Sequence, residues 1–158
     1  MILKCFGNIL KDAPTVDALV NPVNCEGVMG KGLALAISKR YPEILEPYKK
    51  ACEEGRINPG MLFCTIVNDN RLRYIINFPT KIYWSNPSKY VYIKAGLKEL
   101  RSLSNSFEFT RVAIPALGCG LGGLEWEKVE DILEDHLASE PIEYLVYPPQ
   151  ESHHGQEP

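Results

Sequence analysis

The sequence predicts a layered α/β domain built on a mixed sheet, and three observations carry that expectation. Short apolar runs of strand length alternate with segments of helical period. Two glycine-rich loops each stand between such a run and a helical segment, where α/β proteins gather ligands at the carboxyl ends of their strands. Finally, the runs at residues 61–67 (MLFCTIV) and 73–78 (RYIINF) flank an Asn68-Asp69-Asn70 stretch, which suits a hairpin and leaves no room for a crossover helix. The 158 residues suffice for one domain with its own core. A composition of 45% hydrophobic and 23% charged residues excludes a disordered, coiled-coil or collagen-like chain.

In chain order, an edge strand is expected at 2–6 and a buried strand at 18–23 (ALVNPV). Residues 32–40 are apolar nearly all round (Leu33, Leu35, Ile37), so that helix should be well buried until Tyr41-Pro42 ends it. A helix over 42–54 follows, with Gly55 as its C-cap. After the hairpin pair, Asn86-Pro87 resembles an N-cap with proline in the first helical position. The helix it opens carries Tyr90, Ile93, Leu97 and Leu100 at spacings of three, four and three. A strand at 111–117 (RVAIPAL), a helix at 127–137 and a strand at 142–147 complete the set. Val129, Ile132, Leu133 and Leu137 share one stripe of that helix, and His136 at its border reads as structural. The domain is expected over 1–147, with a flexible polar tail over 148–158 that contains His153 and His154.

No apolar run approaches a membrane span, and the N-terminus lacks signal-peptide features. Five scattered cysteines without a CxxC pair argue against a disulfide framework or a zinc site and fit the cytoplasm. The net charge of −3 alone suggests no nucleic-acid partner, but the charge is unevenly spread. Residues 71–101 hold seven basic side chains (Arg71, Arg73, Lys81, Lys89, Lys94, Lys98, Arg101) against one acid, Glu99. From residue 125 onward there are ten acids and one base. The basic stretch also carries six of the fifteen aromatics, among them Tyr83 and Trp84. It reads either as a nucleic-acid surface, with Tyr83, Trp84 and Lys89 as contacts, or as a solvated helix face beside core aromatics.

The first glycine loop is Asn24-Cys25-Glu26-Gly27-Val28-Met29-Gly30-Lys31-Gly32, after a strand and before a helix. Its glycines permit close backbone approach, and the helix start directs N–H groups and a positive dipole end toward an anion. It is not a Walker loop, because Gly30-Lys31 is followed by Gly32 rather than Ser or Thr. The second loop, Gly118-Cys119-Gly120-Leu121-Gly122-Gly123, formally satisfies GxGxxG. A dinucleotide fingerprint would need an acid ending the next strand, whereas Glu143 begins one. Two strand–glycine–helix loops suggest two cradles around a single diphosphate. Lys81, just past a strand in Phe78-Pro79-Thr80-Lys81, would stand on the same rim.

These elements, in order, resemble the macrodomain family of ADP-ribose-binding proteins. The resemblance rests on Gly7-Asn8-Ile9, Val20-Asn21-Pro22-Val23-Asn24, the first glycine loop, and Ile114-Pro115-Ala116-Leu117-Gly118-Cys119-Gly120. Asn77-Phe78-Pro79-Thr80-Lys81 and Gly122-Gly123-Leu124-Glu125-Trp126 make the chain most similar to the branch of DarG-type DNA ADP-ribosyl glycohydrolases, which are antitoxins. The resemblance implies a three-layer α/β/α fold around a mixed sheet of about six strands. It implies catalytic roles for Lys81 and for Asn24, near the outer ribose. It lays ADP-ribose along Asn8, Ile9, Asn21, Gly27, Val28, Met29, Gly30, Lys31, Gly32, Leu33 and Thr80. On the other side it lays the ligand along Leu117, Gly118, Cys119, Gly120, Leu121, Gly122, Gly123 and Leu124.

The implied activity is removal of ADP-ribose from modified nucleic acid, thymidine in DNA above all, reversing an ADP-ribosyltransferase toxin. No metal or cofactor is expected, and the protein is expected to act as a monomer. Two departures stand out. Asn8 replaces a frequent aspartate at the adenine end, and Gly122 replaces an aspartate found in related enzymes that cleave carboxylate esters. Without that carboxylate, Lys81 is expected to act as a cation or proton donor rather than as a nucleophile, and a neighbouring diphosphate would keep it charged. Two alternatives use the same pocket: hydrolysis of small derivatives (ADP-ribose 1″-phosphate or O-acetyl-ADP-ribose), and ADP-ribose binding without catalysis.

Overall fold

The computed structural model describes residues 1–150. Tail residues 151–158, including His153 and His154, lie outside the described residues. Six strands form one sheet: β1 (Ile2–Lys4), β2 (Ala18–Val23), β3 (Phe63–Asp69), β4 (Leu72–Pro79), β5 (Arg111–Ile114) and β6 (Glu143–Val146). Their order is β1-β6-β5-β2-β4-β3, and only the β3–β4 pair is antiparallel. The five helices are α1 (Ile9–Asp12), α2 (Gly32–Arg40), α3 (Leu45–Glu53), α4 (Tyr90–Ser106) and α5 (Trp126–Leu137).

Strand alternation makes the three layers. Leu19 and Val23 of β2, Ile75 of β4, Ala113 of β5 and Leu145 of β6 face one side, with Ile9, Ile37, Tyr48 and Ala51 of α1–α3. Their neighbours Val20, Ile76, Phe78, Val112, Ile114 and Tyr144 face the other, against Ile93, Leu97 and Leu100 of α4 and Val129, Leu133 and Leu137 of α5. The expected mixed sheet and α/β/α layering are therefore present. Among the described residues no helix is long and apolar enough to cross a membrane.

Several expected boundaries shift for local reasons. The turn between β3 and β4 falls at Asn70-Arg71, with Asn70 left-handed at φ 58°, and β3 continues through Asp69. β5 stops at Ile114 because Pro115 has no N–H for the ladder. Residues 42–44 form a 3-10 turn before α3, and Gly55 takes the left-handed conformation beyond its end (φ 70°). α4 begins at Tyr90, so Asn86-Pro87 belongs to the preceding loop rather than to the helix start. Only Ile37 of α2 is fully buried, because the helix's first turns border an open cleft.

Asp17 ties together the sheet end remote from that cleft. Its Oδ2 accepts from Thr110 N (2.7 Å) and Arg111 N (3.0 Å), and its Oδ1 from Arg71 Nε (2.9 Å). Burial alone would raise this carboxyl; the Arg71, Arg111 and Thr110 hydrogen bonds outweigh it and hold the pKa down to about 2. On the opposite face of the sheet, Gly96 lets α4 lie directly on Phe78, whose Cζ would stand 2.2 Å from any added Cβ.

Two outcomes follow. A folded-state pKa below the unfolded 3.8 stabilises the fold above that pH, and this contribution disappears as pH falls toward 2. Asp17→Asn should therefore cost about 2 kcal/mol at neutral pH. In urea melts the gap from wild type should close between about pH 4 and pH 2. Gly96→Ala, which in an exposed helix would stabilise by about 1 kcal/mol, should here destabilise by about 1–3 kcal/mol in the same melts.

Candidate active site

The carboxyl ends of β2, β4, β5 and β6 meet the starts of α1 and α2 around a cleft of about 1540 Å³. That volume suits an elongated ligand, being larger than most drug-sized sites. One wall is the first glycine loop from Val28 to Leu33, with Pro22, Val23 and Asn24 at its base. The facing wall is Pro115, Ala116 and the second loop from Gly118 to Gly122. Asn8 and Ile9 lie on the lining with Tyr147, Pro148 and Pro149; Thr80, Lys81, Trp84 and Ser88 also line it. Lys31 and Lys81 are the charged side chains on this lining, which includes no carboxylate among the described residues.

Backbone pairing beyond the strand ends positions Lys81. The β2–β4 register puts Val23 opposite Pro79, and Thr80 N donates to Val23 O (3.0 Å). Cys25 N then donates to Ile82 O (2.8 Å), so Lys81 is held between two clamps on the first loop. Burial lowers the Lys81 pKa below the ordinary lysine value, the opposite of the shift expected from a nearby diphosphate. The desolvated ammonium is a stronger acid, and an anion in the cleft would push it back toward the charged form.

Asn24 is 8% exposed and knots the first loop. Its Oδ1 accepts from Glu26 N (3.0 Å) and Val28 N (3.4 Å), and its Nδ2 donates to Val28 O (2.8 Å). The buried Tyr48 hydroxyl lies 2.7 Å from the same Oδ1. One amide hydrogen of Asn24 is left for a ligand. Asn8 is likewise engaged: its Oδ1 accepts from Leu10 N (2.9 Å) as the N-cap of α1, so any adenine amine would share that oxygen. The α2 N-cap residue, Lys31, makes no side-chain cap, which leaves the first N–H groups of α2 free beside the cleft. Gly32 (φ 59°) and Gly118 (φ 74°) hold the two loops in left-handed turns that a side chain would strain.

Not every expected residue reaches the cleft. Asn21 is fully buried and donates to Asn77 Oδ1 (3.2 Å). Leu117 is core, Leu124 packs beneath Gly118, and Gly27 backs onto Lys49. Gly123 lies on a second cavity of about 430 Å³, lined also by Lys31, Lys81, Trp84, Ser85, Asn86, Pro87, Leu121 and Gly122. This cavity adjoins the main cleft across the shared Lys31, Lys81, Trp84, Leu121 and Gly122.

Trp84 stands between the two cavities, 56% exposed. Its backbone N–H donates to Glu26 Oε1 (2.9 Å), and Lys31 Nζ lies 5.9 Å from its ring centroid. Tyr83 is also exposed, and Lys89 Nζ lies 5.6 Å from the Tyr92 ring; neither Tyr83 nor Lys89 lines a cavity. The basic stretch is not one surface. Arg71 pairs with Asp17 at the remote end of the sheet, Tyr74 packs on Phe107 and Phe109 there, and Arg101 bonds His136 O (3.2 Å). Only its middle third borders the cleft.

Among the residues that sequence reasoning missed are Tyr48, Glu26, Ser88, the rim from Ser85 to Pro87, and the lining residues Pro22, Val23, Pro115, Ala116 and Tyr147 to Gln150. Asn86-Pro87 drew notice only as a helix start, and Tyr48 sits mid-helix with no local signal. Among the described residues no group of three or more His, Cys, Asp or Glu side chains is placed to hold a metal ion.

The macro domain model matches residues 20–133. A Mycobacterium tuberculosis protein named DNA ADP-ribosyl glycohydrolase is 44% identical over 94% of this chain, which spans 42% of that protein. The chain thus spans less than half the length of the curated relatives it matches first. The solved macrodomain of Mycobacterium tuberculosis DarG superposes with a TM-score of 0.90 at 43% identity, covering 95% of this chain and 99% of that one. Thermosipho africanus DarTG, solved in complex with ADP-ribose, gives 0.86 at 29% identity, covering 96% of this chain and 43% of that one. On the matched model and the shared fold, this chain belongs to the macro domain family.

Proposed function

We propose that this chain is an ADP-ribosyl glycohydrolase that releases ADP-ribose from modified nucleic acid, with ADP-ribosylated thymidine in DNA as its substrate. The observation that carries the reading is the position of Lys81, a cation at the junction between a long anion-suited cleft and a second cavity beside Trp84. ADP-ribose would lie in the main cleft, its diphosphate on the free N–H groups at the start of α2 and on the second loop. The attached base would enter the second cavity and meet the Trp84 ring, with Tyr83 and Lys89 available to the neighbouring strand. The names of the matched relatives support the same chemistry.

In the reaction, the bond between the anomeric carbon and the base nitrogen breaks with its electron pair going to the base. Lys81 gives the departing base a proton, water oxygen bonds to the anomeric carbon, and the proton that water releases returns to Lys81. The remaining amide hydrogen of Asn24 orients the outer ribose. The step calls for no cofactor or metal. The reading also implies a cognate ADP-ribosyltransferase toxin whose modification is reversed. It places the protein in the cytoplasm as a monomer, a setting in which its five free cysteines would stay reduced.

Lys81→Ala should slow release of ADP-ribose from a modified oligonucleotide by about 10²–10⁴-fold while calorimetric binding of ADP-ribose persists. Unchanged turnover would remove Lys81 from the mechanism. The wild-type rate should fall as pH rises through the lowered Lys81 pKa, since the protonated form is the donor; a rate that rises there would point to an amine nucleophile instead. Trp84→Ala should cut kcat/KM on the oligonucleotide roughly tenfold to a hundredfold and leave ADP-ribose affinity unchanged. Turnover of the 1″-phosphate or O-acetyl compounds in preference to DNA, or tight binding with no turnover of any linkage, would favour the two alternatives.

A further inference from the structure

Two cations stand where the main cleft meets the second cavity, and the reaction above uses only Lys81. The main chain of the other, Lys31, belongs to the first glycine loop and to the uncapped start of α2. Its side chain leaves them: it is exposed, and its Nζ lies 5.9 Å from the centroid of the Trp84 ring, on the wall of the second cavity. Among the described residues no carboxylate pairs with it. Glu26, the acid of the same loop, lines neither space and turns its Oε1 to the Trp84 backbone N–H (2.9 Å). An exposed ammonium gains little from a ring face, less than the rotamer freedom a lysine gives up to stay there. The charge is therefore open to a stronger partner. The ring beside it sits on a fixed frame. Asn86 N donates to Tyr83 O (3.0 Å), closing a turn around Trp84, and Ser88 N donates to Gly122 O (3.0 Å), tying the far end of that segment to the second loop.

The proposed substrate carries two kinds of anion, the diphosphate of ADP-ribose and the phosphodiesters of the strand. Main-chain N–H groups at the start of α2 receive the first inside the main cleft. A base stacked on Trp84 is joined to its own backbone through a single sugar, so it brings a phosphodiester to the edge of the same ring. A cation beside an aromatic face is the pairing with which single-strand binders hold backbone and base together. We infer that the Lys31 side chain pairs with a phosphodiester flanking the modified base and is the docking point of the nucleic-acid strand, while the diphosphate is held by main-chain groups. This rests on the proposed reading of the two spaces and divides the two charges by task, Lys81 acting at the scissile bond and Lys31 on the strand.

The test measures kcat/KM on two substrates over a range of salt: an ADP-ribosylated single-stranded oligonucleotide, and the ADP-ribosylated thymidine nucleoside obtained from it by nuclease digestion. The nucleoside has the same scissile bond and the same diphosphate but no phosphodiester. In Lys31→Gln the ratio of kcat/KM for oligonucleotide over nucleoside should fall about fivefold at about 0.1 M salt. The slope of log kcat/KM against log salt for the oligonucleotide should flatten by about 0.7, the value of one phosphate contact on a single strand. Lys31→Arg, which keeps the charge, should retain the wild-type ratio and slope. Equal losses on both substrates, accompanied by weaker calorimetric binding of ADP-ribose, would assign Lys31 to the diphosphate and overturn the inference. An unchanged slope in Lys31→Gln, or the same loss in the Arg and Gln variants, overturns it as well. A wild type that cleaves neither substrate overturns the glycohydrolase reading itself.

Discussion

The site depends on the parallel pairing of β2 with β4 and on its continuation beyond both strands. Inside the sheet the register sets Val23 against Pro79. Past the sheet, Thr80 N on Val23 O and Cys25 N on Ile82 O carry the pairing into the first glycine loop. These two bonds make the loop and Lys81 one rigid unit. Asn24 and Tyr48 then lock the loop from inside, and Glu26 reaches over to hold Trp84. A cation and an anion-facing helix start are thereby placed by main-chain geometry, and the Glu26 carboxylate ties the Trp84 backbone to the same loop. Preorganisation of this kind spares the reorganisation cost when charge develops.

Stability and chemistry are assigned to opposite ends of the sheet. At the amino ends of β2 and β5, Asp17 gathers Arg71, Thr110 and Arg111 into a compact polar knot. At the carboxyl ends, backbone N–H groups are left uncapped, and a buried hydroxyl is left without a partner. The second arrangement costs stability, and the closed knot at the other end and two apolar layers offset it. Parallel strands favour this division, because every crossover returns the chain to the same edge of the sheet.

What was legible in the sequence was whatever has a local period or a local special residue. The stripe Val129, Ile132, Leu133 and Leu137 predicts its helix because i, i+3, i+4 spacing is a property of the chain itself. The glycine loops announce themselves because few other residues take their conformations, and Lys81 is visible as a cation just past a proline-terminated strand. Asn24 is visible as the residue that follows a strand and opens a glycine loop, though its side chain is spent largely on that loop. Tyr48 and Ser88 could not be read, since each acquires its meaning from a partner tens of residues away, Asn24 in one case and Gly122 in the other. The division of the basic segment could not be read for the same reason. Composition treats Arg71 and Lys89 as neighbours in one patch, whereas β4 runs the length of the sheet and delivers them to opposite ends.

The second cavity has a kinetic consequence. It joins the main cleft along Lys31, Lys81, Trp84, Leu121 and Gly122, and both spaces open to solvent. For a substrate laid across that junction, the two fragments produced by cleavage would retreat through separate mouths, neither blocking the other. The smaller fragment, held by one aromatic face, would depart first. The larger, gripped along two walls, would linger, making its dissociation the slow step of the cycle and free nucleotide-sugar a natural brake on turnover.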